Sequence, residues 1–307
     1  MMNETVRGVL DQIADAHEFP AGAAVNIRVD GEKAQRRNTK DIEIITKTDK
    51  DGIDVRIAPG TKGGSVHIPV VLTKSGFQDR VYNDFYVGEG AEVEIVAGCG
   101  INNCGCDDSQ HDGIHTFHIG KNAAVVYKEK HYGEGAGSGK RILNPVTEIY
   151  LEEGASIVLD TAQIKGVDDT KRYTKITAAA GAEILVQEKL YTHGAQKAES
   201  EMDIFLNGAG ARARVISRSV AAEESSQVFY PRVQGNAPCF GHVACDTIIM
   251  GQASARSIPE IACNDAGASL VHEAAIGRIA GDQILKLLTL GLTEEQAEEK
   301  ILEGFLR

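Results

Sequence analysis

The chain has no tryptophan, and aromatic residues fill only 5% of its 307 positions. Yet 42% of the residues are apolar and 33 are glycine. A sizeable core with few bulky rings suits thin, regularly stacked layers better than a conventional sandwich. No run of about eighteen apolar residues occurs, so nothing in the sequence reads as a membrane-spanning helix. A basic surplus is missing as well. The formal net charge is −12, which argues against a phosphate-backbone partner. The opening stretch MMNETVRGVLDQIADAHEF is acidic and amphipathic, without the basic start and apolar run of a secretion signal. The six cysteines therefore read as reduced thiols of a cytoplasmic protein, not as a disulfide framework.

Val6, Val9, Leu10, Ile13 and His17 recur at helical spacing, which predicts an amphipathic helix over 4–18, ended by Pro20 and Gly22. Short alternating runs follow: VNIRV, DIEII, IDVRIA, SVHIPVVL and VYNDFYV, separated by turn residues. A repeat then emerges, in which Gly or Asn precedes an alanine and a short alternating strand. GEGAEVEIV, GKNAAVVYK, EEGASIVLD, AAGAEILVQ, NGAGARARV, QGNAPCFGH and NDAGASLVHE all share it. The alanines fall at 91, 123, 155, 182, 211, 237 and 268, with spacings of 32, 32, 27, 29, 26 and 31. Such a period means a stacked array. Small residues let coils approach closely, and Gly or Asn permits a left-handed corner.

No helical period interrupts the strands. The expected fold is mainly β: a parallel β-helix, or similar β-solenoid, with an antiparallel sandwich as the alternative. Near the end, Ile284, Leu285, Leu287 and Leu288 follow Asp282, and Gly291 is placed to stop that helix. Thr293 and Gln296 form a capping-box pattern for a second helix carrying Ala297, Ile301 and Phe305. The predicted division is 1–60 as an N-terminal helix and strand region, 61–275 as the β-helix core, and 276–307 as a C-terminal helical hairpin.

Two clusters carry chemistry. Cys99, Cys104, Cys106, His111, His115 and His118 lie within twenty residues and invite a zinc or iron site. Their C-x4-C-x-C spacing matches no standard zinc knuckle, so buried inert thiols are the competing reading. The second cluster is Cys239, His242, Cys245, Cys263, His272 and Glu273. One coil brings residues about thirty apart into register, so Cys245 and His272 fall on adjacent coils roughly 5 Å apart. Alternation from Ala268 puts His272 inside and Glu273 outside. The two serve one site only if the strand bends or a neighbouring subunit contributes. GEGAGSGKR resembles a nucleotide loop, but Glu134 stands where its first glycine belongs and Arg141 replaces the hydroxyl residue.

CDTIIMG (Cys245–Gly251), HEAAIGRI (His272–Ile279) and the tail DQILKLLTLGLTEEQAEEKILEGFL resemble the SufB/SufD family, scaffold subunits of the SUF iron–sulfur cluster assembly machinery. The likeness is strongest over about Gly208–Leu306 and weak before residue 80. It implies a right-handed parallel β-helix flanked by helices. It also implies a SufB-like role for Cys245 and the His272–Glu273 pair: sulfur acceptance at Cys245, and ligation of a transient [2Fe-2S] or [4Fe-4S] cluster by all three. Further implied are a SufC-like ABC ATPase docked on the terminal helices, pairing of two subunits through their β-helices, a sulfur donor and apo-protein acceptors. The chain lacks the N-terminal cysteine motif of the usual SufB, which suggests a minimal, homodimeric version. Two other readings stay open, a stand-alone zinc or iron metalloenzyme and a metal-free structural solenoid.

Overall fold

The computed structural model describes residues 4–14 and 19–306. Strands make up 56% of it, wound as a parallel β-solenoid of about 8 turns. Most coils give one strand to each of two facing sheets. In the first sheet Glu92–Asn102, Ala124–Glu134, Ser156–Lys165, Glu183–Thr192, Arg212–Ala221, Phe240–Ile249 and Ser269–Gly277 lie side by side. The second sheet stacks Gln78–Val87, Ser109–Ile119, Val146–Leu151, Asp169–Ala178, Lys197–Leu206 and Ser226–Gly235. It closes with Ser254–Ser257 and Glu260–Cys263. Parallel pairing starts with Ala24–Val29 on Gly64–His67, and antiparallel Glu32–Arg37 edges that end.

The corners explain the repeat. Gly90, Gly154, Gly181 and Gly210 have φ between +64° and +76°, and Asn122 has φ +53°. These are the left-handed positions that precede each inward alanine. Ala91, Ala123, Ala155, Ala182 and Ala211 are fully buried and stack coil on coil. The sixth corner corrects the sequence expectation. Arg212 pairs with Phe240 and Phe240 with Ser269, so Cys239, not Ala237, stands between Ala211 and Ala268. Ala237 falls in the turn before it, where the Pro238 carbonyl accepts the Gly210 N–H at 2.7 Å.

Inside, alternation divides the lumen lengthwise. One column of inward residues is apolar but for a phenol: Ile95, Tyr127, Leu159, Val186, Val215 and Val243. The next column, two residues further along each strand, is largely polar: Ala97, Glu129, Thr161, Glu188, Ser217 and Cys245, all buried. Buried polar side chains need partners, and they find them across the lumen. Arg172 reaches Glu129, while Ser200 and Ser217 both donate to Glu188.

The opening helix α1 (Glu4–Ile13) buries Val6, Val9, Leu10 and Ile13, as its spacing predicts. His17 lies outside the described residues. α1 packs on the outside of the first sheet over Gly98 and Gly100. A Cβ at Gly98 would stand 2.5 Å from the Ile13 carbonyl oxygen, and one at Gly100 2.1 Å from Val9 Cγ1. Only glycine lets the helix come so close.

Helices α2 (Gly281–Thr289) and α3 (Glu294–Phe305) end the chain. Gly291 follows α2 with φ +93°, and Thr293 and Gln296 make both bonds of the capping box. The nucleotide-loop look-alike has a packing explanation. Gly135, Gly137 and Gly139 lie against the backbone of residues 103–107 on the preceding coil, where any Cβ would come within 2.2 Å of a carbonyl oxygen.

Candidate functional site at the open end of the solenoid

Cys245 and His272 are inward residues of the last two strands of the first sheet. His272 pairs with Val243 and so heads the apolar column with an imidazole. Cys245 Sγ lies 3.4 Å from His272 Nε2. Cys245 is only 3% exposed, and burial pushes its thiol up to about 12. Burial also lowers His272, with help from His242. At neutral pH the pair is thus an uncharged thiol facing an uncharged imidazole.

Glu273 is on the other side of the sheet. It pairs with Ala244, points outward with 71% of its side chain exposed, and meets His242 Nε2 at 3.3 Å. The strand Ser269–Gly277 does not bend to bring it inside, so one chain unites Cys245 with His272 but not with Glu273. The pocket beside Cys245, bounded by Glu188, Ser217, Ser219, Thr247 and Ser257, has a volume of about 20 Å³. That is room for roughly one water molecule. No cluster fits there.

The six residues of the 99–118 group are scattered by the same alternation. Cys99, His111 and His115 point into the lumen, Cys104 and Cys106 are exposed on a loop, and His118 stacks outside between Tyr86 and Tyr150. Among the described residues no group of three or more His, Cys, Asp or Glu is arranged to hold a metal ion.

What does assemble inside is a charged nucleophile. Burial pushes the Cys99 thiol up, but His111 and His131 outweigh it and bring it down to about 7. Burial likewise lowers His111, while Cys99 and Asp79 lift it to about 10. Asp79 holds His111 Nδ1 at 3.1 Å and is held in turn by Arg28 at 3.1 Å. His111 Nε2 makes no directed hydrogen bond, so charge is what ties it to Cys99. His131 pairs with Cys99 on the next coil and bridges to Arg172 at 3.3 Å. Asp79 and His131 escape a motif search, although each stands 32 residues from its partner, one coil length.

These features define a parallel β-solenoid with thiol and imidazole groups in its lumen and on its last coil. A family model for the SUF system FeS cluster assembly, SufBD core domain, matches residues 83–305. The chain belongs to this family. An iron-sulfur cluster assembly SufBD family protein of Methanocaldococcus jannaschii is 26% identical over 78% of this chain and 76% of its own. One from Archaeoglobus fulgidus is 27% identical over 84% and 69%, respectively. A chloroplastic SufBD family protein of Arabidopsis thaliana is 25% identical over 71% of this chain and 41% of its own. Among the described residues no helix is long and apolar enough to cross a membrane.

Proposed function

We propose that this chain is a cytoplasmic scaffold subunit on which iron–sulfur clusters are built, with sulfur and iron as substrates and the nascent cluster as cargo. The observation that carries this reading is the 3.4 Å contact of Cys245 with His272 at the end of a SufBD-core solenoid. Thiol and imidazole are ligand types suited to iron, and mixed ligation favours release of the product. Cys245 is the principal sulfur acceptor and iron ligand. Its thiol is protonated in the resting fold, and His272 is placed to take the proton as the thiol becomes a nucleophile.

A cluster does not fit the closed lumen. Assembly therefore takes place at the open edge, where Ser269–Gly277 has no further strand beside it among the described residues. Glu273 joins from the outer face, either as that edge strand turns or from a second copy of the chain. Val271, Ile276 and Phe240 are exposed apolar residues around this edge and suit a homodimer pairing through the β-helix. Cys99, ionised near neutral pH, is a second thiol able to take up sulfur. The subunit is not itself an enzyme in this reading. ATP hydrolysis belongs to a SufC-like partner docked on α2 and α3, where Leu285 and Leu290 are exposed.

The test is oxygen-free purification of the full chain with its ATPase, followed by assays of iron and acid-labile sulfide. Cys245→Ala should lose the cluster while its circular dichroism is unchanged. Glu273→Ala should weaken retention more than sulfur uptake, since a carboxylate binds iron but carries no persulfide. Replacing Cys99, Cys104 and Cys106 together should have the milder effect. A normal cluster yield in Cys245→Ala with none in the triple variant would move the site to the other group. If the wild-type complex never acquires iron and sulfide, the scaffold reading fails.

A further inference from the structure

Cys239 and Cys263 take no part in the site above, yet the coil geometry brings them to one corner. Cys239 occupies the stacked corner position that alanine fills on the coils before and after it. Its thiol has more bulk than the methyl it replaces, and the extra volume is accommodated by a missing side chain. Gly235 stands where the earlier coils carry Ile119, Leu151, Ala178 and Leu206. A Cβ there would be 2.9 Å from Cys239 Sγ and 2.8 Å from the Ala268 Cβ. Cys263 is the next residue in that same column, paired in parallel with Gly235. The sulfur of Cys239 thus sits in the inward space of Gly235, and the Cβ of Cys263 lies one strand spacing, roughly 5 Å, beyond that space.

We infer that Cys239 and Cys263 are a redox-active dithiol whose oxidation staples the terminal coil shut. Cys263 is exposed and Cys239 buried, the arrangement of an attacking thiol beside a resolving one. The oxidant is a low-molecular-weight disulfide such as oxidised glutathione. The Cys263 thiolate attacks one sulfur of the oxidant, forming a mixed disulfide and expelling one thiolate. Cys239 then attacks the Cys263 sulfur and expels the second. Two electrons pass from the protein to the oxidant, and the two protein thiol protons end on the two released thiols. Closing the bond calls for movement of Glu260–Cys263, which pairs with Ser226–Gly235 and has no strand beyond it among the described residues. The closed loop spans Phe240–Ile249, the strand that carries Cys245.

The test takes the reduced full chain, titrates it anaerobically with oxidised glutathione, and alkylates what remains. Of the six cysteines, four should still be alkylated, and peptide mapping should recover Cys239 linked to Cys263. Cys239→Ser should stop at a glutathione adduct on Cys263. Cys263→Ser should keep Cys239 as a free thiol. The oxidised wild type should unfold at a higher temperature than the reduced form, a gain that Cys263→Ser should not show. A stable glutathione adduct on wild-type Cys263, with Cys239 still alkylated, would overturn the inference. So would loss of two thiols mapped instead to Cys104 and Cys106.

Discussion

His111→Gln is the sharpest probe of the lumen, because it removes one charge and leaves a similar shape. The Cys99 thiol is lowered from 9.0 to about 7 by His111 and His131, in spite of complete burial. Two units correspond to about 3 kcal/mol in favour of the thiolate. Without the His111 cation, burial is opposed by His131 alone, and the midpoint should rise above 7. At pH 7 the thiolate fraction then falls below the one half of the wild type. The buried sulfur need not be reached by a reagent. The Cβ shift of ¹³C-labelled cysteine, followed through a pH titration, reports the midpoint directly. Stability should follow the same ionisations. Cys99 has a depressed value, so its contribution is complete above pH 9 and lost as pH falls through 7. His111 has a raised value, so its contribution is complete below about pH 6.5 and lost as pH rises through 10. The pair is thus ionised together between about pH 7 and 10, and the denaturation midpoint of the wild type should exceed that of His111→Gln most in that window. A wild-type midpoint near 9, or a variant midpoint unchanged near 7, would refute the thiolate–imidazolium assignment.

Further outcomes follow from the packing. Gly98→Ala should push α1 off the sheet, because its Cβ meets the Ile13 carbonyl at 2.5 Å; overpacking of this kind costs about 1–3 kcal/mol, readable by urea denaturation. A loss below about 0.5 kcal/mol would mean that the helix does not sit there in solution. Truncation after Gly281 removes α2 and α3, which pack against each other. It should abolish co-purification with the ATPase and leave the β signal in circular dichroism intact, whereas undiminished binding would place the dock elsewhere.

Sequence alone determined the architecture. Alternation fixed which residues face the lumen, and Gly or Asn before a small residue marked the corners. These are local rules of strand pleat and left-handed turns, so they need no knowledge of neighbours. The 27-residue spacing of Cys245 and His272 was enough to place them on adjacent coils, and parity alone put Glu273 outside. Register across an irregular turn was not legible. Asn236–Pro238 offers two candidate corners, and only the ladder from Arg212 through Phe240 to Ser269 chooses Cys239. Equally hidden was the charged lumen. Cys99 with His131, and His111 with Asp79, are each one coil apart. The contact of Glu129 with Arg172 instead crosses from one sheet to the other over 43 residues. Which buried groups carry charge depends on the distances between facing sheets, and those distances exist only once the coils have closed around a shared, water-poor interior.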